Sequence, residues 1–429
     1  MILNESNKNI YYHVAKITFF LYFFFTLFGT SLPFRAGTRD PSQLGTSNII
    51  NQIVFSTLFL TALFSLIPKT HHVIAIIKKE KFLIIFLLWC TLSITWADNS
   101  FVVIKRLFQF YTAIIVCFSI LVHSDSVDDI LITLKILFSI FMIVSLISIF
   151  TVPGAISRNY QEWQGLANNK NNLGKYSLIS TLIWLYALSK DEKLKSKLFS
   201  FFMLLVSLFL LFGANSLTAV SAFLFLLLVW SLFAVDQIFK PLGIRRTVTI
   251  LFLICLGSIT VLTLLFSKEI IAAVLALAGK KLTLTGRTDL WADIMVEVKK
   301  HLLIGCGYKG FWITDSPKIL EVYETYIWLP RQSHNGYLDV LNETGLIGLF
   351  SFLAIIINYF VTLVKNKKRT FWMWFIIVAL IENFTESVLF SPGGVMTFMF
   401  LYAYLSIFTN ILQKEQINFQ SETDRLYRK

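Results

Sequence analysis

The stretch FFLYFFFTLFG, Phe19 to Gly29, carries no charge and no alternation of apolar with polar residues. A helix on the surface of a soluble protein needs a wet face, and a half-buried strand needs a period of two. Neither is present, so the run reads as the middle of a helix in hydrocarbon. The rest of the chain follows the same pattern. Its 429 residues are 56% hydrophobic and 15% charged, with a mean hydropathy of +0.70, too apolar for a soluble domain. The 42 Phe fall in apolar stretches of roughly 15 to 25 residues, the length that crosses a bilayer as helix. The missing period of two argues against a membrane barrel.

Taken in order, the apolar runs place spans near Val14 to Leu32, Ile49 to Ile67, Phe82 to Ala97, Leu107 to Val122, Ile130 to Val152, Leu173 to Leu188, Leu198 to Phe212, Leu217 to Val235, Val248 to Phe266, Leu338 to Val364, Phe371 to Leu389 and Val395 to Leu412. That is about twelve helices, an all-α polytopic membrane protein. The runs KTHHVIAIIKKEK, KDEKLKSK, KPLGIRR, KNKKR and the tail DRLYRK then share one side with the N-terminus. The positive-inside rule makes that side cytoplasmic. HSDSVDD falls inside although acidic, and Arg35, Arg39, Lys105 and Arg106 fall outside, fewer than the inside cations. A net charge of +13 distributed over alternate loops is evidence against nucleic-acid binding. The run after MILNESNKNIYYHVAK is too long for a signal-peptide core, so it is expected to be a retained span. Cys90, Cys117 and Cys255 lie in spans and Cys306 in a loop, so neither a disulfide nor a metal site on cysteine is expected.

Three parts follow: N-terminal transmembrane helices over 1–267, a long outer-face loop with an amphipathic helix over 268–335, and C-terminal transmembrane helices with a cytoplasmic tail over 336–429. Loops as long as the second part are usually functional. Within it, LTLTGRTDLWADIMVEVKKHLLIGCGYKGFW reads as a capped amphipathic helix and a glycine turn. Thr285 is the candidate cap, Leu290, Trp291, Ile294 and Val298 share one face, and Gly305 and Gly307 end the element. Arg287 then lies in the first turn, where a cation opposes the helix dipole and a bound anion reverses that cost. A surface arginine fits the same spacing.

His334 is the histidine with polar company. Arg331 precedes it, and Asn335, Asp339, Asn342 and Glu343 follow at helical spacing, a stripe that at membrane depth faces a wet cavity or a partner helix. In IENFTES, Glu382, Asn383 and Glu386 occupy one face near the outer end of the eleventh span, where they serve function or pair with an arginine. The outer loop SRNYQEWQGLANNKNNLGKYS, Ser157 to Ser177, holds Arg158, Lys170 and Lys175, which orientation does not explain. Its Asn and Gln residues, Asn171 among them, suit sugar hydroxyls, although a solvated loop has the same composition.

GLANNKNNLG, TGRTDLW, LLIGCGYKGFW and SHNGYLDVLNETGLIGL together resemble the O-antigen ligase and Wzy-type O-antigen and exopolysaccharide polymerase superfamily, over about the second two thirds of the chain. The resemblance implies a fold of about twelve helices in a bacterial inner membrane, with an active site facing the periplasm under the long loop. It implies glycan transfer from an undecaprenyl diphosphate donor to a glycan or lipid A core acceptor, without metal or other cofactor. The partners it implies are membrane lipid and a chain-length regulator. Arg287 matches the arginine expected to hold the diphosphate, and His334 the histidine expected to orient or deprotonate the acceptor. Arg158, Lys170, Asn171, Arg331, Asn335 and Glu343 are the accompanying substrate-binding candidates. Arg287, Arg331 and His334 are expected to converge on one cavity.

One departure matters. Where ligases of the family usually carry an arginine in an SRT-like stretch, this chain has ANSLTAV, with Ser216, Leu217 and Thr218. That tilts the expectation from ligase toward polymerase and leaves Arg158 or Arg331 to supply the missing cation. A transporter is the competing class, with Glu343, Glu382 and Glu386 available for proton coupling. Transporters commonly show repeated halves and broken helices, and the sequence displays neither.

Overall fold

A computed structural model describes residues 5–29, 48–124, 129–157, 162–167, 169–227, 287–313, 319, 322, 325–326, 330–365 and 371–427. Arg158, Thr285 and the ninth apolar run, Val248 to Phe266, lie outside the described residues. The described elements are all helical, with a single isolated bridge between Ile156 and Trp163. In chain order they are α1 (Glu5–Phe28), α2 (Ile49–Leu66), α3 (Thr70–Lys79), α4 (Phe82–Leu92), α5 (Ser100–His123), α6 (Ile130–Thr151), α7 (Lys170–Lys190) and α8 (Leu194–Gly213). There follow α9 (Leu217–Leu227), α10 (Arg287–Lys300), α11 (Gly336–Lys365), α12 (Phe371–Glu382) and α13 (Val395–Tyr427).

Among the described residues, seven helices are long and apolar enough to cross a membrane, and α4, α9 and α12 form shorter apolar helices. The protein is an integral membrane protein. The count of about twelve is not reached on these residues. The sixth run coincides with α7, whose apolar residues are diluted by Asn, Ser and Lys. Outward-facing Ile53, Leu60, Phe150, Leu198 and Ile357 are exposed, as a bilayer allows and water does not. Inside, α5 lies against α1, α2 and α13, α7 pairs with α8, and α4 packs on α11. Paired hydroxyls tie neighbours together, Ser65 with Ser119 and Ser180 with Ser207, each at 2.7 Å. Such small polar residues let helices approach closely in lipid.

Capping chemistry moves several boundaries away from the hydropathy limits. Asn99 accepts from the Val102 N–H at 3.1 Å, so α5 starts at Ser100 rather than Leu107. Asn169 accepts from the Asn172 N–H at 2.8 Å. Lys170, Asn171 and Lys175 therefore ride on the first turns of α7 instead of lying in an open loop. The eleventh run does not continue as helix to Leu389. Asn383 accepts from the N–H groups of Val388 at 3.2 Å and Leu389 at 3.0 Å, a local turn that competes with helix and stops α12 at Glu382.

The largest departure is in α11. At Gly345 its backbone turns to φ 67° and ψ −171°, conformations open to glycine. The interruption leaves carbonyls and N–H groups without helical partners, and at membrane depth each costs several kcal/mol unless protein satisfies it. The segment after α10 does so. Cys306 N donates to Asn342 O at 3.0 Å and Gly307 N to Glu343 O at 2.9 Å, while Leu346 N donates to Leu302 O at 2.9 Å. Trp89 Nε1 takes the Thr344 carbonyl at 2.8 Å. Glycine is required on both sides. A Cβ on Gly305 falls 2.4 Å from the Glu343 carbonyl carbon, and one on Gly345 2.2 Å from the Leu302–Ile304 backbone at Leu303 O. The sequence displayed no broken helix, and α11 is one.

Candidate functional site

The amphipathic helix expected from the sequence within 268–335 corresponds to α10. Its apolar face, Leu290, Ile294 and Val298, packs with Cys306, Phe311, Trp312 and Leu338 into a small core of its own. Arg287 is the first described residue of α10. From there the guanidinium donates Nη1 to the Thr385 carbonyl at 2.7 Å and Nη2 to Glu386 Oε1 at 3.0 Å. His334 approaches the same carboxylate from the other side, with Nδ1 3.0 Å from Oε2. A carboxylate only accepts, so Nδ1 carries the proton. Gln332 Nε2 donates to Oε2 at 2.7 Å and Asn171 Nδ2 to Oε1 at 2.7 Å. Glu386 is thus the point where α7, α10, the turn before α11 and the connection after α12 meet.

Burial works against a charge on Glu386. The hydrogen bond from His334 and the positive charges of Arg287 and Lys175 outweigh it and hold the carboxyl below its ordinary range.

The turn carrying His334 is held firmly. His334 has φ 54°, a left-handed conformation that few side chains adopt without support. Asp339, buried in the first turns of α11, supplies the support. Its Oδ1 accepts from Ser333 N at 3.1 Å and from Trp312 Nε1 at 3.0 Å. Its Oδ2 accepts from the Ser387 hydroxyl. Trp291 Nε1 donates to the Ser333 carbonyl at 2.7 Å. Gly336 allows the close contact with the 383 turn: its N–H reaches Asn383 O at 2.8 Å, and a Cβ there falls 2.0 Å from Asn383 Oδ1.

The polar stripe of the sequence therefore divides by task. His334 faces Glu386. Asn335 caps α11, its Oδ1 accepting from Tyr337 N and Leu338 N at 3.1 Å each. Glu343 sits in a separate place, 3.3 Å from Lys309 Nζ, beside the helix break. Arg331 is exposed at the start of the turn. Lys170 forms an ion pair with Glu162, whereas its neighbour Asn171 reaches Glu386. Ser216, in the ANSLTAV stretch, donates to Asn171 Oδ1 at 3.3 Å, so that stretch touches the site without a cation. Glu386 had two readings in the sequence, function or an arginine partner. Gln332 carried no signal that separates it from any loop glutamine.

Residues 201–353 match the family model Wzy_C, O-Antigen ligase. The match includes Arg287, His334 and Asp339 and ends before Glu386. The chain is also 32% identical over 90 residues to "Exopolysaccharide production protein ExoQ" of Rhizobium meliloti (strain 1021), a similarity covering 20% of this chain and 21% of that relative. The chain thus spans about a fifth of the length of the curated relative it matches.

Proposed function

We propose that this chain, a member of the O-antigen ligase and Wzy-type polymerase superfamily, is a membrane glycosyltransferase that moves a glycan from an undecaprenyl diphosphate donor to an acceptor hydroxyl at the periplasmic face of the bacterial inner membrane. The observation that carries it is the convergence of Arg287 and His334 on the two oxygens of Glu386. A leaving-group cation and a base have to serve one donor and acceptor pair, and here one carboxylate spaces them. The acceptor oxygen attacks the anomeric carbon and gives its proton to His334 Nε2. The bond from that carbon to the phosphate oxygen breaks, and the diphosphate leaves with its new charge against Arg287. Glu386, bonded to Nδ1–H, fixes the imidazole with its lone pair on Nε2 and stabilises the imidazolium that forms. Fixed cations stabilise a diphosphate leaving group by charge rather than by protonating it. Asn171 and Asn335 are proposed to lie along the glycan path, with Lys170, Arg331 and, outside the described residues, Arg158 around its rim. Glu343 is proposed to act from beside the helix break.

Polymerisation of exopolysaccharide or O-antigen repeats is the favoured outcome, supported by the cation-free Ser216–Thr218 stretch and by the name of the R. meliloti relative. Ligation to lipid A core is the second reading, favoured by the family description. A strain lacking the protein separates them: single repeats on lipid A core indicate a polymerase, and full-length chains left on undecaprenyl diphosphate indicate a ligase. The enzyme itself is tested with His334→Ala in defined lipid. Donor binding is expected to stay nearly intact while transfer falls by roughly 10²- to 10⁴-fold, the usual worth of a general base. Turnover at the wild-type rate removes the base assignment, and movement of intact donor across the bilayer indicates a transporter.

A further inference from the structure

We propose that Glu386 is a built-in counter-anion that holds the place of a phosphate at Arg287 and is exchanged for the donor diphosphate before transfer, an inference resting on the glycan-transfer function above. Arg287 stands in the first turn of α10, where the helix end and a guanidinium together favour an anion. The anion there belongs to the chain. Nη2 donates to Glu386 Oε1 at 3.0 Å and Nη1 to the Thr385 carbonyl at 2.7 Å, so two adjacent residues of one connection satisfy both prongs of the fork. Two oxygens of a diphosphate present the same paired acceptors with more negative charge. They compete for the guanidinium on favourable terms.

The exchange does not strand the carboxylate. Asn171, Gln332 and His334 still donate to it, at 2.7, 2.7 and 3.0 Å. Glu386 then serves the imidazole without the opposing pull of Arg287, and donor arrival strengthens the hold on the base that acts next. The counter-anion and a simple scaffold differ in sign. An anion that competes with the donor weakens donor binding, whereas a scaffold that merely positions Arg287 improves it.

Glu386→Gln separates the two, because the amide keeps an acceptor oxygen and loses the charge. The probe is undecaprenyl diphosphate in nanodiscs holding the purified full-length chain, with binding measured by competition against a fluorescent polyprenyl diphosphate and transfer measured on the same preparation. Removing a nearby like charge is expected to tighten binding on the order of tenfold. Transfer is expected to fall by about 10- to 100-fold, the usual cost of losing a partner that orients a histidine. Glu386→Asp, which withdraws the carboxylate by one methylene, is expected to shift both quantities in the same directions by less, and it carries the test if the Gln variant does not fold. Binding unchanged or weakened in the folded variant overturns the counter-anion and leaves the glycan-transfer function standing. A wild-type chain that neither binds the probe nor transfers glycan overturns both.

Discussion

Asp339→Ala should cost more than any other single change in the His334 turn. The carboxylate accepts from Ser333 N, Trp312 Nε1 and the Ser387 hydroxyl, and it is 1% exposed. Hydrogen bonds to a charged group are worth about 1.5–3 kcal/mol each, and a donor left buried without a partner costs about 1–3 kcal/mol. Three such bonds sharing one acceptor group are not additive, so a loss of about 3–5 kcal/mol is expected, a large share of the 5–15 kcal/mol typical of a folded chain. His334 has a second stake, since its left-handed backbone costs roughly 1–2 kcal/mol that the clamp must outweigh. Asp339→Asn is the control. Its remaining Oδ1 still accepts from Ser333 N and Trp312 Nε1, and the Ser387 hydroxyl turns round to accept from the new amide, so about 1 kcal/mol is expected to be lost. Thermal unfolding in detergent, followed by tryptophan fluorescence at a fixed scan rate because unfolding of such proteins is often irreversible, gives the order of the two variants. Transfer measured well below the melting temperature should fall at least tenfold in the Ala variant and less than about threefold in Asn. Equal melting temperatures for wild type and Ala, or equal losses in Ala and Asn, would refute the clamp.

Gly305→Ala adds a Cβ 2.4 Å from the Glu343 carbonyl carbon at a residue with φ 71°. It should destabilise the chain by more than about 3 kcal/mol, combining left-handed strain with separation of the backbone pairing, and should show as lost expression or a much lower melting temperature. Lys170→Ala removes a partly exposed partner of Glu162, a kind of contact worth roughly 0–1 kcal/mol. Donor affinity within about twofold of wild type is expected of a rim residue that already has a partner; a larger loss would put Lys170 in direct contact with the donor.

Hydropathy made the membrane helices legible because lipid demands a local property, an uncharged run of sufficient length. Boundaries were less legible, since Asn99, Asn169 and Asn383 set them through side-chain bonds that hydropathy does not weigh. Arg287 and His334 stood out through their motifs. Glu386 stood out only as one of several carboxylates, because its role depends on Asn171, Arg287 and His334, which are 215, 99 and 52 residues away in the chain. The break in α11 was hidden for a related reason. Gly345 inside an apolar run is ordinary for a membrane helix, and the need for glycine there comes from Leu303, which approaches from another segment.

The paired glycines of α11 and the 302–307 segment also bear on how the protein is made and altered. The N-terminal part of α11 is poorly suited to hydrocarbon as an isolated helix, because the amide groups around Gly345 are satisfied by a strip of chain that precedes it in sequence, between α10 and the turn. The break in α11 and the docking of that strip therefore depend on one another. An excised 287–313 segment loses its partners for Cys306 and Gly307, and an α11 transplanted without that segment carries open carbonyls into hydrocarbon. Chimeras between relatives should keep 302–307 and 342–347 from the same parent, whatever is exchanged around them.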